Sequence, residues 1–542
     1  MPDLASADSL RQAISDHQSG RLAQAERLYR AILHRQPNHV GALNGLAVLA
    51  RQVGRGDAAV ALLGRAIAQA PDNTVLRANL GATLRGLGQA GEAVLELRRA
   101  LVLAPGQADA LNNLGMVLQG QAQAAAAVHC FRRALHLAPD HAEARANLAY
   151  YSQCLPGVTL AMVARLQRAM APQGDGAVMP PRAGRPAAGR PWSLGFVSGD
   201  FRHHQVAAYV VRGLEGLAAL GCRIVLYANQ VEADAMTERL RAIASLWRPI
   251  AGLSDAAVVD LVRSDGIEVL VDLSGHFARH RLGVFAQRAA PLQVTWAGYM
   301  ATTGLDEMDL LMADAREVPP GAEVHYSERV VRLPQAWICW DPPADMAEPG
   351  PLPDGPITFG SLNMPAKLND PLLALWARVL HAVPGSRLLL RYTGLDAPGV
   401  GARLKAALAA QGIAPERLSL EGWGAQRDFL ETYQRIHIAL DPFPYSGSIT
   451  TCEALWMGVP VVTMPGETFA GRHSLSILHA VGLGELAAAD ADTYVSKAAA
   501  LAADRDALSR LRSGLRARVA ASPLCDGAGF AADFLAALSS SW

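Results

Sequence analysis

The hydrophobic pattern of the first 150 residues repeats with a period of 34 residues. Small residues recur at this step in two series, Ala13, Ala47, Gly81, Gly115 and Ala25, Ala59, Ala93, Ala127. Large apolar residues and prolines recur in two further series, Tyr29, Leu63, Leu97, Phe131 and Pro37, Pro71, Pro105, Pro139. Small residues let two helices cross closely, large apolar residues fill the contact, and proline ends a helix. The pattern therefore predicts two antiparallel helices in each repeating unit.

These registers resemble the tetratricopeptide repeat, a helix pair that buries its apolar face against the neighbouring copies. We expect four repeats and a capping helix near residues 142–151, which together enclose one continuous core. Residues 1–151 are therefore predicted to form an α-helical solenoid.

One register of the repeats is polar and consists of Asn79, Asn113 and Asn147. It falls on the first helix of each unit, at the position that lines the concave face. Because an asparagine side chain both donates and accepts hydrogen bonds, a row of them can bind the backbone of an extended peptide. The alternative is that polar residues simply occupy an exposed groove. The peptide interpretation predicts a protein partner.

Beyond residue 192 the pattern changes to short apolar runs that alternate with helical segments. The runs are SLGFVSGD, CRIVLYAN, IEVLVDLSG, LQVTWAGY and MDLLMAD, followed by ITFGSLN, SRLLLRY, LSLEGWG, HIALDPF and PVVTMPG. Continuous apolar strands with helical crossovers are typical of buried parallel sheets. We expect a linker over 152–192, a Rossmann-like domain over 193–345 and a second one over 346–542. In such sheets ligands bind at the carboxyl ends of the strands.

Composition narrows the possible functions. The 542 residues include 49 basic and 49 acidic side chains, so no overall field favours nucleic acid or an anionic membrane. Six scattered cysteines without a CxxC pair argue against a disulfide framework or a cysteine zinc site. The N-terminus has no signal-peptide pattern and no apolar run is long enough to span a bilayer, so a cytoplasmic protein is expected.

Lys367 is the first candidate for a chemical role. The chain has only three lysines, Lys367, Lys405 and Lys497, and the other basic side chains are arginines. Lys367 follows the predicted strand end at Asn363, where a compact ammonium can reach a diphosphate. The alternative is a solvated surface lysine.

A second candidate is the segment LDPFPYSGSITTCEALWMG, residues 440–458. A strand is followed by a glycine-containing loop with Ser448, and Thr450 and Thr451 open a helix. Free N–H groups at a helix N-terminus, with hydroxyls beside them, can bind a phosphate. Glu453, placed in the first turn of this helix, can bind a ribose or sugar hydroxyl. The alternative is an ordinary N-cap followed by a first-turn glutamate.

Two histidines follow predicted strand ends in the first half. His204, in the pair His203-His204, has a pKa range that suits a general base or a group that orients an acceptor hydroxyl. His276 lies in a turn after another strand and is placed beside the same cleft. A structural histidine is the alternative for each. The Asp490-Ala491-Asp492 triplet resembles a metal-nucleotide signature, but it precedes a helical pattern and is interpreted as an N-cap.

Taken in order, these segments resemble glycosyltransferase family 41, which includes protein O-GlcNAc transferases and the plant SPINDLY proteins. The resemblance covers about 193–540 and extends to SPLCDG at 522–527. It implies a GT-B fold, an inverting reaction without a metal, and donor binding mainly by the second half. His204 matches the family's cleft histidine and Lys367 its diphosphate lysine. Thr450, Thr451 and Glu453 match the loop that contacts phosphate and ribose.

The resemblance to family 41 does not decide which nucleotide-sugar is the donor. Ser448 stands where animal O-GlcNAc transferases have histidine, and TTCEALWMG is closer to SPINDLY, whose plant members use GDP-fucose. MPGET followed by Arg472 is instead similar to the GlcNAc enzymes. We therefore expect transfer of GlcNAc from UDP-GlcNAc to protein Ser/Thr hydroxyls, with no cofactor and with Asn363, His276 and Arg472 among the donor contacts. O-fucosylation from GDP-fucose and a non-catalytic repeat scaffold are the alternatives.

Overall fold

A computed structural model describes residues 4–172, 191–344 and 346–542. The chain separates into a first unit formed by the residues up to Tyr151 together with residues 397–400, and a second unit formed by residues 152–396 and 401–542. None of the helices in these described ranges is long and apolar enough to cross a membrane. Each unit has its own core.

The first unit is built from helix pairs, as the period predicts. Its helices are α1 (Leu4–Gln18), α2 (Leu22–Arg35), α3 (Val40–Gln52), α4 (Gly56–Gln69), α5 (Thr74–Gly86), α6 (Ala90–Leu103), α7 (Ala108–Gly120), α8 (Ala124–Leu137) and α9 (Ala142–Ser152). A Cβ atom on Gly81 would lie 2.5 Å from Leu97, and one on Gly115 would lie 2.5 Å from Phe131. The small residues therefore occupy the positions where paired helices touch.

The asparagine register lies on the first helix of successive pairs. Asn79 donates from Nδ2 to Oδ1 of Asn44 at 2.8 Å, and Asn147 donates in the same way to Asn112 at 2.9 Å. Asn113 is half-buried on α7. The side chains thus link neighbouring repeats, while their role in peptide binding stays a prediction.

The second unit contains two parallel sheets. Strands β1 (Ser193–Ser198), β2 (Arg223–Ala228), β3 (Leu246–Pro249), β4 (Val269–Asp272), β5 (Leu292–Thr295), β6 (Leu310–Asp314) and β7 (Arg329–Leu333) pair in the order β3-β2-β1-β4-β5-β6-β7. Strands β8 (Thr358–Ser361), β9 (Arg387–Arg391), β10 (Leu418–Glu421), β11 (Ile438–Leu440) and β12 (Val461–Val462) pair in the order β10-β9-β8-β11-β12. We call the parts around these sheets the first and the second lobe.

Ten of these strands fall on the predicted apolar runs, and two do not. β3 and β7 are the outermost strands of the first sheet and are only partly buried. A strand at the edge of a sheet needs no continuous apolar run, because one side of it faces solvent or a loop. The apolar pattern of a buried strand therefore does not predict β3 or β7.

Thirteen helices surround the two sheets in the described part of the second unit. They are α10 (Leu160–Arg168), α11 (Gln205–Ala219), α12 (Ala235–Ile243), α13 (Asp255–Ser264), α14 (Leu282–Ala286), α15 (Asp370–Ala382), α16 (Pro398–Ala409), α17 (Gln426–Glu431), α18 (Ile449–Trp456), α19 (His473–Ala480), α20 (Ala491–Ala503), α21 (Arg505–Ala520) and α22 (Gly527–Ser541). α10 lies inside the predicted linker and buries Val163 and Gln167. Residues 173–190 of that linker lie outside the described residues.

The last helix departs from the predicted division into domains. α22 packs on α11 of the first lobe, where a Cβ atom on Gly216 would lie 2.3 Å from the carbonyl oxygen of Gly527. Trp296 of the first lobe stacks on Phe530 with 5.3 Å between ring centroids. The chain therefore returns to the first lobe after completing the second.

Candidate active site

Lys367 lies in a short 3-10 turn after β8, and its ammonium is buried against the loop that follows β11. Nζ donates to Oδ1 of Asn363 at 3.0 Å and to the carbonyl oxygen of Ser446 at 2.6 Å. It also lies 4.2 Å from the ring centroid of Tyr445. Burial lowers the pKa of Lys367 to about 8, while the nearby Asp441 carboxylate opposes that shift. A cation is thus held where the second sheet presents its strand ends.

The loop beside this cation is held in one conformation by its neighbours. The Gly447 N–H donates to Oδ1 of Asp441 at 2.6 Å, and a Cβ atom on Gly447 would lie 2.6 Å from Oγ1 of Thr451. Helix α18 begins directly after Ser448, whose carbonyl oxygen accepts from the Thr451 and Cys452 N–H groups. The first N–H groups of a helix have no partner within it and can bind an anion.

The two predicted threonines face different neighbours. Oγ1 of Thr450 lies 3.4 Å from Oδ1 of Asn363, the residue that also accepts from Lys367. Oγ1 of Thr451 is 2.7 Å from Oγ of Ser474 and is buried. Thr450 therefore belongs to the Lys367 cluster, whereas Thr451 anchors α18 to the start of α19.

Glu453 lies one turn further along α18 than predicted, because the helix already begins at Ile449 and has no acidic residue in its first turn. Its side chain is 8% exposed and, among the described residues, makes no hydrogen bond or ion pair. Burial raises its pKa to about 8. A carboxyl group in a residue that is so little exposed and has no partner among the described residues is unusual and is typical of a binding site.

His204 is the N-cap of α11 in the first lobe. Its Nδ1 atom accepts from the Val206 N–H at 3.3 Å and lies 3.8 Å from Oδ2 of Asp200, too far for a hydrogen bond. Burial lowers the pKa of His204, although the Asp200 carboxylate acts in the opposite direction. The ring is therefore neutral near pH 7. Since Nδ1 uses its lone pair in the cap, the proton of the neutral ring is on Nε2.

His276 and Arg472 do not join the Lys367 cluster. Nε2 of His276 lies 2.6 Å from the carbonyl oxygen of Thr303 within the first lobe, and burial lowers the pKa of His276 to about 4. Arg472 donates to the carbonyl oxygens of Arg316 and, at 3.2 Å, Gly466. Within the described residues neither contacts Lys367 or Thr450, so their donor contacts stay predictions.

The structure adds an aromatic group that the sequence interpretation had not assigned. Trp423 follows β10, is 53% exposed, and lies 4.6 Å from Phe429 and 6.2 Å from Tyr392, measured between ring centroids. An exposed indole near the carboxyl ends of parallel strands can stack on a planar ring. The sequence signal for it was weak, because one tryptophan among polar loop residues has no period.

The acidic triplet is a helix cap, as predicted. Asp490 accepts from the Thr493 N–H at 2.8 Å at the start of α20. In the described ranges no three histidine, cysteine or acidic side chains are grouped as metal ligands would be. A reaction without a metal stays a prediction.

A family model described as glycosyl transferase family 41 matches residues 183–348 and 345–534, which is more than half of the chain. The chain belongs to glycosyl transferase family 41. Tetratricopeptide repeat models match residues 17–80 and 108–141 in the first unit. The predicted family and the predicted repeat type are therefore confirmed.

A solved structure of similar architecture is an O-GlcNAc transferase mutant from Thermobaculum terrenum. It shares 35% sequence identity and a TM-score of 0.81, and the match covers 100% of this chain and 98% of that chain. This likeness confirms the predicted fold class, helical repeats followed by an α/β part with parallel sheets.

Two curated plant relatives match 65% and 61% of this chain. A Solanum lycopersicum protein named "Probable UDP-N-acetylglucosamine--peptide N-acetylglucosaminyltransferase SPINDLY" is 39% identical over 361 residues, covering 65% of this chain and 39% of that protein. An Arabidopsis thaliana protein of the same name, with SEC in place of SPINDLY, is 28% identical over 350 residues, covering 61% of this chain and 35% of that protein. The chain thus spans about two fifths of the length of these relatives.

Proposed function

We propose that this family 41 chain transfers GlcNAc from UDP-GlcNAc to Ser/Thr hydroxyls of proteins, with inversion at the anomeric carbon. The observation that carries the proposal is the pairing of a buried ammonium, Lys367, with the N-terminus of α18 and the unpartnered Glu453. A cation and free N–H groups suit a diphosphate, and a carboxyl group suits a sugar or ribose hydroxyl. The names of the two plant relatives, both of which specify UDP-N-acetylglucosamine and a peptide, support the same donor and acceptor.

In the proposed reaction the acceptor oxygen attacks the anomeric carbon on the face opposite the diphosphate, the bond from that carbon to the diphosphate oxygen breaks, and the proton of the acceptor hydroxyl passes to water. Lys367 and the first N–H groups of α18 stabilise the charge that develops on the departing diphosphate. Glu453, protonated near neutral pH, hydrogen-bonds a hydroxyl of the donor. The exposed ring of Trp423 stacks on the base.

His204 orients the acceptor in this proposal. Its Nδ1 atom is occupied by the Val206 N–H, so the free edge of the ring presents an N–H donor at Nε2. That edge can hold an acceptor oxygen, but the neutral ring cannot take the acceptor proton at Nε2. Of the two roles that the sequence left open for His204, the cap geometry favours positioning.

Acceptor proteins bind through the repeats in this proposal, with Asn79, Asn113 and Asn147 as hydrogen-bonding groups for an extended backbone. The nucleotide-sugar is the second partner. No nucleic acid and no membrane is required by the chemistry.

The test is incubation of the full chain with a mixture of candidate acceptor proteins and UDP-GlcNAc, followed by intact-mass and fragment analysis. We expect a gain of one N-acetylhexosamine on Ser or Thr, and none with Lys367→Ala. Unchanged transfer by Lys367→Ala would contradict the assigned site. Absence of both transfer and nucleotide binding would favour the non-catalytic scaffold.

O-fucosylation from GDP-fucose is the second candidate. It is favoured by the segment TTCEALWMG, which is closer to SPINDLY, and by Ser448, which stands where animal O-GlcNAc transferases have histidine. The affinities of UDP and GDP for the same preparation, measured by calorimetry, distinguish the two donors. UDP has the base of UDP-GlcNAc and GDP has the base of GDP-fucose. Tighter binding of GDP would replace UDP-GlcNAc with GDP-fucose in the proposal.

A further inference from the structure

A tyrosine from the first lobe contacts the candidate donor loop of the second lobe. Tyr209 lies on α11, five residues after the N-cap His204, and is 3% exposed. Its hydroxyl is 2.8 Å from Oγ of Ser448, the residue immediately before α18. A phenol of the first lobe therefore contacts the N-cap residue of that helix.

The contact replaces the usual cap of α18. A serine before a helix normally turns its hydroxyl to the N–H groups of the first turn, yet Ser448 has no side-chain cap hydrogen bond. Its hydroxyl faces Tyr209 instead, which leaves the N-terminal N–H groups of α18 free of a serine oxygen. The conformation of Ser448 is thus set by a residue of the other lobe.

The neighbours hold the loop at three successive residues. Lys367 binds the carbonyl oxygen of Ser446, Asp441 binds the N–H of Gly447, and Tyr209 binds the hydroxyl of Ser448. Two of these three contacts come from the second lobe itself. The third, from Tyr209, comes from the lobe that carries His204, and Tyr445 of the same loop also contacts Met300 of that lobe.

Tyr209 is itself held in place by the segment that leads from the first lobe to the second. The Cys339 N–H donates to the carbonyl oxygen of Tyr209 at 3.1 Å, and the Asp341 N–H donates to that of Ala208 at 2.7 Å. The Trp337 ring packs on the Tyr209 ring with 6.1 Å between centroids. The phenol is therefore presented from a fixed backbone and a packed ring.

We propose that Tyr209 is a positioning residue for the departing diphosphate, acting through Ser448 and the N-terminus of α18. This inference rests on the proposed function. Helix α11 carries His204 at its N-cap and Tyr209 five residues later, a rise of about 7.5 Å along the helix axis. One rigid element thus fixes the spacing between the group that orients the acceptor and the group that sets the diphosphate loop.

The chemistry predicts a selective effect on the diphosphate. Without the hydrogen bond between the phenol and Ser448, the residue before α18 is no longer fixed, and the N–H groups of the first turn lose part of their alignment on a bound phosphate. A nucleoside monophosphate lacks the terminal phosphate. Its affinity should therefore depend less on this helix end than the affinity of the diphosphate.

The experiment compares wild type with Tyr209→Phe, which keeps the packed ring and removes only the hydroxyl. Affinities for UDP, UMP, GDP and GMP are measured by calorimetry on the full chain, together with kcat and the acceptor KM. Tyr227→Phe is the matched control, because Tyr227 is a fully buried tyrosine of β2 whose hydroxyl donates to Asp265 at 2.9 Å. We expect Tyr209→Phe to bind the preferred diphosphate about 5- to 10-fold more weakly.

The expected pattern has three further parts. In Tyr209→Phe the monophosphate affinity and the acceptor KM should change less than twofold. The kcat of Tyr209→Phe should fall together with its diphosphate affinity. Tyr227→Phe should keep the wild-type values of monophosphate affinity, diphosphate affinity, kcat and acceptor KM. Ser448→Ala tests the same hydrogen bond from the second lobe and remains informative if Tyr209→Phe fails to fold. The two substitutions act on one bond, so we expect the diphosphate affinity of the double variant to equal that of the weaker-binding single variant.

Other results would overturn the inference. Wild-type behaviour of Tyr209→Phe, equal losses for diphosphate and monophosphate, or additive losses in the double variant would each show that the hydroxyl is structural only. These outcomes leave the proposed function intact, because the wild type still binds and transfers. A wild type that binds neither UDP nor GDP would overturn the proposed function and this inference with it.

Discussion

Replacing Lys367 with methionine separates a functional cation from a structural one. Burial depresses the pKa of Lys367 from 10.5 to about 8. At about 1.4 kcal/mol for each tenfold change in proton affinity, holding the charged ammonium in the folded protein costs about 3 kcal/mol near neutral pH. Methionine has a similar length and no charge, so Lys367→Met removes this cost.

The substitution also removes favourable contacts. The hydrogen bonds to Asn363 and Ser446 and the interaction with the Tyr445 ring contribute about 1 kcal/mol each. These losses offset the gain, and we expect the free energy of unfolding near pH 7 to change by no more than about 1 kcal/mol. Transfer should nevertheless fall about 100- to 1,000-fold, because the departing diphosphate loses its buried cation.

The dependence of stability on pH gives a sharper signature. Between pH 8 and 10.5 the unfolded chain keeps the Lys367 proton while the folded chain has lost it. The unfolded state therefore binds more protons, and the stability of the wild type relative to Lys367→Met rises with pH across this window. From pH 7 to pH 9.5 we expect a relative gain of about 2 kcal/mol.

The assay is urea unfolding at these two pH values, followed by tryptophan fluorescence. All nine tryptophans lie at residue 192 or later, so the signal reports the second unit without a contribution from the repeats. Lys405→Met is the control, since Lys405 is exposed on α16 and should show no such relative gain. Strong destabilisation of Lys367→Met at pH 7, or a difference from wild type that does not vary with pH, would refute the reasoning.

Three further outcomes are expected. The kcat/KM for the donor should fall above about pH 8, because Lys367 and Glu453 both lose protons there and the site loses positive charge and gains negative charge beside the diphosphate. Glu453→Gln should make this fall less steep in a pH–rate profile. EDTA should leave the transfer rate unchanged, because the Lys367 ammonium supplies the positive charge that a metal ion supplies in metal-dependent transferases. Loss of activity in EDTA that Mg²⁺ or Mn²⁺ restores would contradict this prediction. Asn79→Ala with Asn147→Ala should raise KM for a protein acceptor several-fold without altering UDP affinity, and an unchanged KM would favour the exposed-groove alternative.

The sequence by itself determined the elements whose pattern is local. The period of 34 residues predicts the helix pairs of the first unit, because each unit needs the same small and large residues at the same contact. Ten strands were visible as apolar runs, since an interior parallel strand is buried on both faces. Lys367 and the loop before α18 could also be identified as candidates from the sequence, because lysine is rare in this chain and the segment Gly-Ser-Ile-Thr-Thr is a recognisable local motif.

Only the tertiary structure decided which distant groups meet. The edge strands β3 and β7 and the return of α22 to the first lobe depend on neighbours far away in the chain. The contact between Tyr209 and Ser448 joins residues 239 positions apart, and no local pattern marks either partner for the other. That Glu453 has no partner among the described residues cannot be predicted from sequence either, because burial and hydrogen bonding depend on how the chain packs. Local periodicity specifies elements, whereas the site arises where several elements pack together.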